Sequence, residues 1–205
     1  MITRTLVEIA ADIRGFTSAA YPDMEIRVEP DLEDPSRTAI YFTESKFALI
    51  YPTQRFHYLS HLIPAEYQEQ HLQNTAWFEL APGETPADLV YPDDELVRNI
   101  TPDVMRILRK TGFFELLDNQ FSPLDPAAPR AQCWGDYRVS RGILPTRGFS
   151  EDEFFDVFHV LMAQGGFCDC EILHNACEES RLKAEYWKAR AQGHQPRDPH
   201  SGGSA

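Results

Sequence analysis

The stretches EIRVE (25–29), TAIYF (38–42), FALIY (47–51) and RFHYL (55–59) decide how the first half of this 205-residue chain is read. Each is short and rich in β-branched or aromatic residues. Between them lie the turn-prone DLEDPS, Thr43-Glu44-Ser45-Lys46 and Pro52-Thr53-Gln54. Runs of this kind suit a pleated, half-buried surface, and their close spacing predicts an antiparallel meander. A sheet with one apolar face needs a cover. The preceding segment supplies it, because Ile2, Leu6, Ile9, Ile13 and Phe16 recur at three- and four-residue steps and predict an amphipathic helix over 2–19. The expected class is α+β, an antiparallel sheet meander with covering helices, followed by a small C-terminal helical module.

Working outward, Pro64 suits the first turn of a helix over 64–76, and APGETP (81–86) reads as a loop. A short helix is expected at 92–99. Thr101-Pro102-Asp103 offers a hydroxyl cap, a proline and an acid in the order that opens another, running to about Asp118 with an interruption near Gly112. FSPLDPAAPR (121–130) carries three prolines and no period. These features predict an α+β domain at 1–120, a Pro-rich linker at 121–131, a helical cysteine-rich module at 132–192 and a flexible tail at 193–205. Within the module, Ser150 and Glu153 form a capping-box pattern ahead of Phe154, Phe155, Phe158 and Leu161. Gly165-Gly166 can end that helix, and Asp169 can cap the next, expected over 170–191.

The composition, 42% hydrophobic and 25% charged, is that of a folded globular chain. No apolar run approaches the roughly 20 residues a membrane span requires. The N-terminal MITRTLVEIAADIRGF lacks the apolar block and cleavage site of a secretory signal. A soluble cytoplasmic protein is expected. The formal net charge is −13, and residues 1–100 hold 17 acids against 7 Lys/Arg. Such a field repels phosphate backbones, which argues against nucleic acid as a partner and suits a basic protein or a cation.

The chemistry concentrates in GGFCDCEILHNAC, Gly165 to Cys177. In a reducing compartment, cysteines grouped in this way point to metal binding or thiol chemistry rather than to a structural disulfide. Cys168 and Cys170 would flank a helix start, where the dipole favours thiolate. On a continuous helix His174 and Cys177, four and seven residues after Cys170, would share its face. Soft sulfur and imidazole donors so arranged suit tetrahedral Zn²⁺. Cys-x-Cys is tighter than the usual zinc-finger spacing. Inert packing and a reactive thiol pair are the competing readings.

The stretch from Cys133 to Ala176 resembles an uncharacterised bacterial domain family. Its members open on a cysteine, continue through a helix and close on Gly-Gly-(Phe/Tyr)-Cys-Asp-Cys-Glu-(Ile/Val)-Leu-x-Asn. Here the closing motif runs from Gly165 to Asn175, and the opening cysteine is Cys133. The resemblance implies that Cys133 joins Cys168 and Cys170. In the family a histidine follows the opening cysteine by two residues, whereas this chain has Cys133-Trp134-Gly135-Asp136. A fourth ligand would then come from Asp136, His174, Cys177 or water. The family brings no activity with it.

Elsewhere the signals point to structure. His57 and His61 could chelate a metal only on a helix, and their surroundings read as extended. Asp93-Asp94-Glu95 suits a helix start. Trp77, Phe78, Trp134 and Tyr137 read as core or pocket lining. The sequence carries no phosphate-binding glycine loop, GxSxG elbow or HExxH. The function expected is a non-catalytic protein-binding module with a structural zinc held by Cys133, Cys168, Cys170, His174 and Cys177, in one version immunity- or inhibitor-like. The alternatives are a metal-dependent hydrolase, with Glu171 or Asp136 moving protons, and a thiol-redox enzyme cycling Cys168 and Cys170.

Overall fold

The computed structural model describes residues 4–31 and 34–194. The chain divides into two compact units, Met1–Tyr91 and Pro92–Ala205.

Unit 1 opens on α1 (Leu6–Thr17), whose Thr5 cap and Glu8 form a capping box. Ile9 and Ile13 are buried beneath it, as their spacing requires, while Ile2 lies outside the described residues. Strands β1 (Glu25–Pro30) and β2 (Thr38–Thr43) form the expected antiparallel hairpin, with Glu25 opposite Thr43 and Pro30 opposite Thr38. The next two expected strands are not strands. FALIY lies mostly in a 3₁₀ turn, Ser45–Leu49, and RFHYL lies within α2 (Pro52–Leu62). Pro52 explains the second change, since its fixed φ and missing N–H suit a first helical turn and spoil a strand ladder. Tyr51 N–H donates to Gln54 Oε1 at 2.9 Å across that turn. Arg55 and Leu59, four residues apart, are both buried.

The helix expected over 64–76 is α3 (Ala65–His71), and the chain then enters β3 (Thr75–Leu80). That strand pairs parallel with β2, Thr38 opposite Thr75 and Thr43 opposite Leu80, so the sheet order is β1-β2-β3. A parallel neighbour needs a crossover, which α2 and α3 provide. The class is α+β as expected, while the meander becomes a hairpin plus a crossover strand. One face of the sheet carries Ile40 and Phe42, buried with Ile13, Met24, Phe47 and Leu59. On the other face Tyr41 stacks on Phe78, ring centroids 5.1 Å apart, with Arg27 4.0 Å above the Tyr41 ring.

Unit 2 begins with α4 (Asp94–Lys110), capped by Asp93, which accepts from Glu95 N–H and Leu96 N–H. The helix runs through Pro102 without restarting. Thr101 is therefore no cap; its hydroxyl donates to Val97 O at 2.7 Å. Gly112, at φ 70°, makes the expected break before α5 (Phe113–Phe121). The division between units thus falls at Tyr91–Pro92 rather than at 121–131. Helix α5 packs on α6 (Arg138–Ile143) and α9 (Arg181–Ala191), which keeps it in unit 2. The proline-rich stretch is tied back to α5, since Ala131 N–H donates to Gln120 O at 2.7 Å.

The Ser150–Glu153 capping box opens a 3₁₀ turn that leads into α7 (Phe154–Ala163). The single helix expected over 170–191 is three pieces: α8 (Asp169–Glu171), a π-helical turn (Ile172–Ala176) and, after a break at Cys177, α9. Of the expected tail, residues 195–205 lie outside the described residues. Among the described residues, no helix is long and apolar enough to cross a membrane.

Candidate metal centre

Cys133 lies in the connection before α6, and Cys168 and Cys170 bracket the start of α8. Their sulfurs form a triangle. Cys133 to Cys170 is 3.0 Å, Cys168 to Cys170 is 3.2 Å, and Cys133 to Cys168 is 3.5 Å. All three cysteines are buried and none is in a disulfide. Three buried cysteines lie close enough to one another to bind a metal ion.

The motif residues build the corner that carries the two adjacent thiols. Helix α7 ends where Gly165 N–H donates to Met162 O and Gly166 N–H to Leu161 O, and Gly165 takes φ 81°. That left-handed angle suits glycine. Gly166 meets a different limit. A Cβ there would stand 2.9 Å from Ile172 Cγ1, 3.0 Å from Ile172 Cα and 3.2 Å from Leu161 O. The backbone of the π-helical turn packs directly on it, so any side chain would push the cysteine corner away from α7. Asn175 holds the same turn from the far end, its side-chain amide donating to Gly165 O at 2.7 Å.

Cys168 is the cap of α8, extended at φ −151°, and its sulfur accepts from Glu171 N–H at 3.5 Å. Glu171 returns the bond, its carboxylate accepting from Phe167 N–H at 3.0 Å. The acid between the cysteines works on a different helix. The Asp169 carboxylate accepts from Val139 N–H at 2.9 Å, from Ser140 N–H at 3.0 Å and from the Ser140 hydroxyl at 2.5 Å. It caps α6, where unpaired N–H groups would otherwise lie buried. Asp169 N–H in turn donates to Asp136 O at 3.1 Å. The Asp136 side chain is held by Arg138, with Nη2 at 2.6 Å from Oδ2. These bonds fix the Cys133 segment against the Cys168–Cys170 corner.

The electrostatics reverse the expectation of low thiol pKa values. Burial, with hydrogen bonds from Cys133 and Cys170, pushes the Cys168 thiol well up. The Cys170 thiol is raised chiefly by its hydrogen bond with Cys133. A helix of three residues has little dipole to set against this. Burial also raises Asp169 to about 6, against the opposing effect of its three hydrogen bonds. Both shifts favour the neutral thiol at Cys168 and Cys170, and a cation among the sulfurs would favour thiolate.

The structure brings together three of the five expected ligand residues. His174 is in the π-helical turn with its ring against Tyr186, centroids 5.5 Å apart. Cys177 is extended, and its thiol donates to Glu179 O at 2.9 Å. The face that would unite them with Cys170 requires a continuous α-helix, and the π-helical turn and the break at Cys177 remove it. Asp136 is occupied by Arg138. The hydrogen bonds made by Tyr137 and Ser140 carried no sequence signal. The Tyr137 hydroxyl donates to Gly166 O at 2.5 Å while its ring stacks on Phe158 at 4.2 Å, and Ser140 meets Asp169. Both partners lie 29 residues away in sequence, beyond any local pattern.

His57 and His61 lie on α2 after all, ring centroids 4.3 Å apart, with His61 Nδ1 2.7 Å from His57 O. No third His, Cys, Asp or Glu joins them in a metal-binding group among the described residues.

No curated protein and no solved structure matches the chain. Residues 121–175, a segment holding Cys133, Cys168, Cys170 and the whole of the glycine–cysteine corner, match the family described as Protein of unknown function (DUF2695).

Proposed function

We propose that Cys133, Cys168 and Cys170 hold a structural Zn²⁺ that clamps unit 2, and that the protein is a non-catalytic cytoplasmic module binding a basic protein partner. The convergence of three buried sulfurs from segments 35 residues apart carries this reading. The donor set fits the ion. Zinc at about 2.3 Å from each thiolate asks for sulfurs about 3.8 Å apart, so the observed separations of 3.0, 3.2 and 3.5 Å would have to open by up to about 0.8 Å. A disulfide between any two of the three would leave the third thiol over. A bound dication would supply the charge that favours thiolate, and would tie Cys133 to the corner and so contribute folding energy.

The acids near the cluster support a structural role. Asp136, Asp169 and Glu171 are each engaged, with Arg138, with the start of α6 and with Phe167 N–H. A proton-transfer group would have to leave such a bond to act. The excess of acids in the chain, 32 against 19 Lys/Arg, favours a basic partner and lets the protein act as an inhibitor of one. One observation favours the alternative of a catalytic metal: the cluster offers three protein ligands, and structural zinc ordinarily takes four.

The test is metal analysis of the purified chain with zinc-edge X-ray absorption. One zinc per chain with three sulfurs at about 2.3 Å is expected. A fully folded, reduced and metal-free protein would end the zinc reading. Cobalt substitution separates the two metal roles, because an open fourth position changes its visible spectrum when imidazole is added and a closed one does not.

A further inference from the structure

A second polar group is buried in unit 1, and one of its oxygens has no hydrogen-bond partner among the described residues. Strand β3 is half-buried from Thr75 to Phe78 and buried at Glu79 and Leu80. Trp77 and Glu79 point to one face, and Glu79 lies opposite Phe42 on the apolar side of the sheet. An apolar side chain belongs at this position, yet the residue is a glutamate with only 1% of its surface exposed. Its Oε1 has no hydrogen-bond partner among the described residues. Arg55 is the nearby cation, but its bonds go elsewhere. Nε donates to Ile50 O at 3.0 Å, Nη1 to the Glu79 backbone carbonyl at 2.7 Å, and Nη2 to Glu84 Oε1 at 3.1 Å.

Glu79 is among the residues lining a cavity of about 550 Å³. Thr53, whose hydroxyl is also buried without a partner, lines it as well. Two further polar groups of the wall are engaged: Trp77 Nε1–H donates to the Thr75 hydroxyl at 2.8 Å, and that hydroxyl donates to Leu72 O at 2.7 Å. Arg37 is the one cation among the lining residues. The aromatic contribution comes from Trp77 and from Phe56, whose rings lie 5.5 Å apart. Phe56 and Tyr91, which also line the cavity, are 48% and 51% exposed. An apolar cavity with a few convergent unsatisfied polar groups is the form a small-molecule site takes. Buried polar groups are otherwise almost always paired.

We propose that this cavity binds a small planar cationic ligand of the aromatic amidine class, its paired N–H donors on Glu79, its edge on Thr53, and its ring against Phe56 and Trp77. An amidinium matches a carboxylate with two parallel N–H···O bonds. A flat cation also suits an aromatic wall. Residues 1–91 hold 14 acids against 6 Lys/Arg, which favours entry of a cation. Burial raises the Glu79 carboxyl to about 7, opposed by its own backbone N–H and by Arg55, so an entering cation meets an acid poised to ionise.

The probe is benzamidine, titrated into the full chain and followed by NMR at the Trp77 indole N–H and the Ala76 and Glu79 amides. Saturable shifts at these groups are expected, with affinity about tenfold weaker in Glu79→Gln and about threefold weaker in Thr53→Val. Benzyl alcohol, which has the ring without the N–H pair, is expected to bind at least about tenfold more weakly. Shifts that fail to saturate, or an unchanged affinity in Glu79→Gln, would overturn the proposal. Glu79→Leu provides the second variant. It is expected to fold with a raised Tm and to lose benzamidine. A lowered Tm in Glu79→Leu would make Glu79 a structural group and would overturn the ligand site.

Discussion

The cysteine corner of unit 2 and the β3 cavity of unit 1 both bury polar chemistry, but they treat it differently. At the corner every motif side chain has a partner. Asp169 caps α6, Glu171 and Asn175 each hold a backbone group, and the thiols meet one another. At the cavity the Glu79 carboxyl has an unmatched oxygen, and the cation beside it is directed to other groups. A satisfied polar network fixes one geometry, whereas an unsatisfied buried acid costs stability that folding alone does not repay. The first arrangement suits the proposed clamp, and the second the proposed ligand site.

The largest effect should come from breaking the clamp. Cys168→Ser, measured by metal content and thermal melting, is expected to lose the zinc and to lower Tm by more than about 10 °C. A variant that melts with wild type would reduce the cluster to packing.

The cavity is next, and its effect depends on pH. Glu79 titrates near 7 in the fold and near 4.5 in an unfolded chain, so the folded state holds the proton more tightly. Between those values the unfolded state ionises first, and stability falls as pH rises from about 4.5 to about 7. The fall is expected to reach up to about 3 kcal/mol and then to level off. Glu79→Gln removes it, so the difference between wild-type and variant urea midpoints across this range isolates the group. A constant difference would mean that the carboxyl is satisfied.

A smaller loss is expected from Asp169→Asn, which keeps the size of the side chain and weakens the cap on α6. About 2 kcal/mol in urea unfolding, with zinc content unchanged, would separate the role of this acid from that of its cysteine neighbours. Loss of zinc in this variant would show that the cap and the metal shell are one unit.

The smallest effect distinguishes the two descriptions of the ligand set. His174→Ala is expected to change stability by about 0.5 kcal/mol or less and to leave zinc bound. If zinc is lost, the imidazole is a ligand despite its place against Tyr186.

Local signals were legible where one residue's chemistry dominates. Asp93, and Ser150 with Glu153, each begin a helical segment in the structure as their side chains dictate. The same signals misled where tertiary pairing had the deciding role. Thr101-Pro102-Asp103 has every feature of a helix start, yet α4 passes through it, with Asp93 already supplying the cap. TAWFEL gave no distinctive strand signal until β2 offered it a parallel edge. RFHYL carries strand-forming residues, but Pro52 and the burial of Arg55 and Leu59 on one side make it helical.

The sequence by itself determined the α+β class and the glycine turn that carries Cys168 and Cys170, because glycine conformation acts over a few residues, while Cys133 was tied to them only by the family resemblance. Only the tertiary structure decided the rest. It bent the chain at the π-helical turn and so moved His174 and Cys177 off the face of Cys170. It brought Ser140 and Tyr137 onto a motif 29 residues distant, and it placed an acid on the apolar face of β3. Each of these outcomes depends on which surfaces pack together, and packing is a property of the whole chain rather than of any stretch within it.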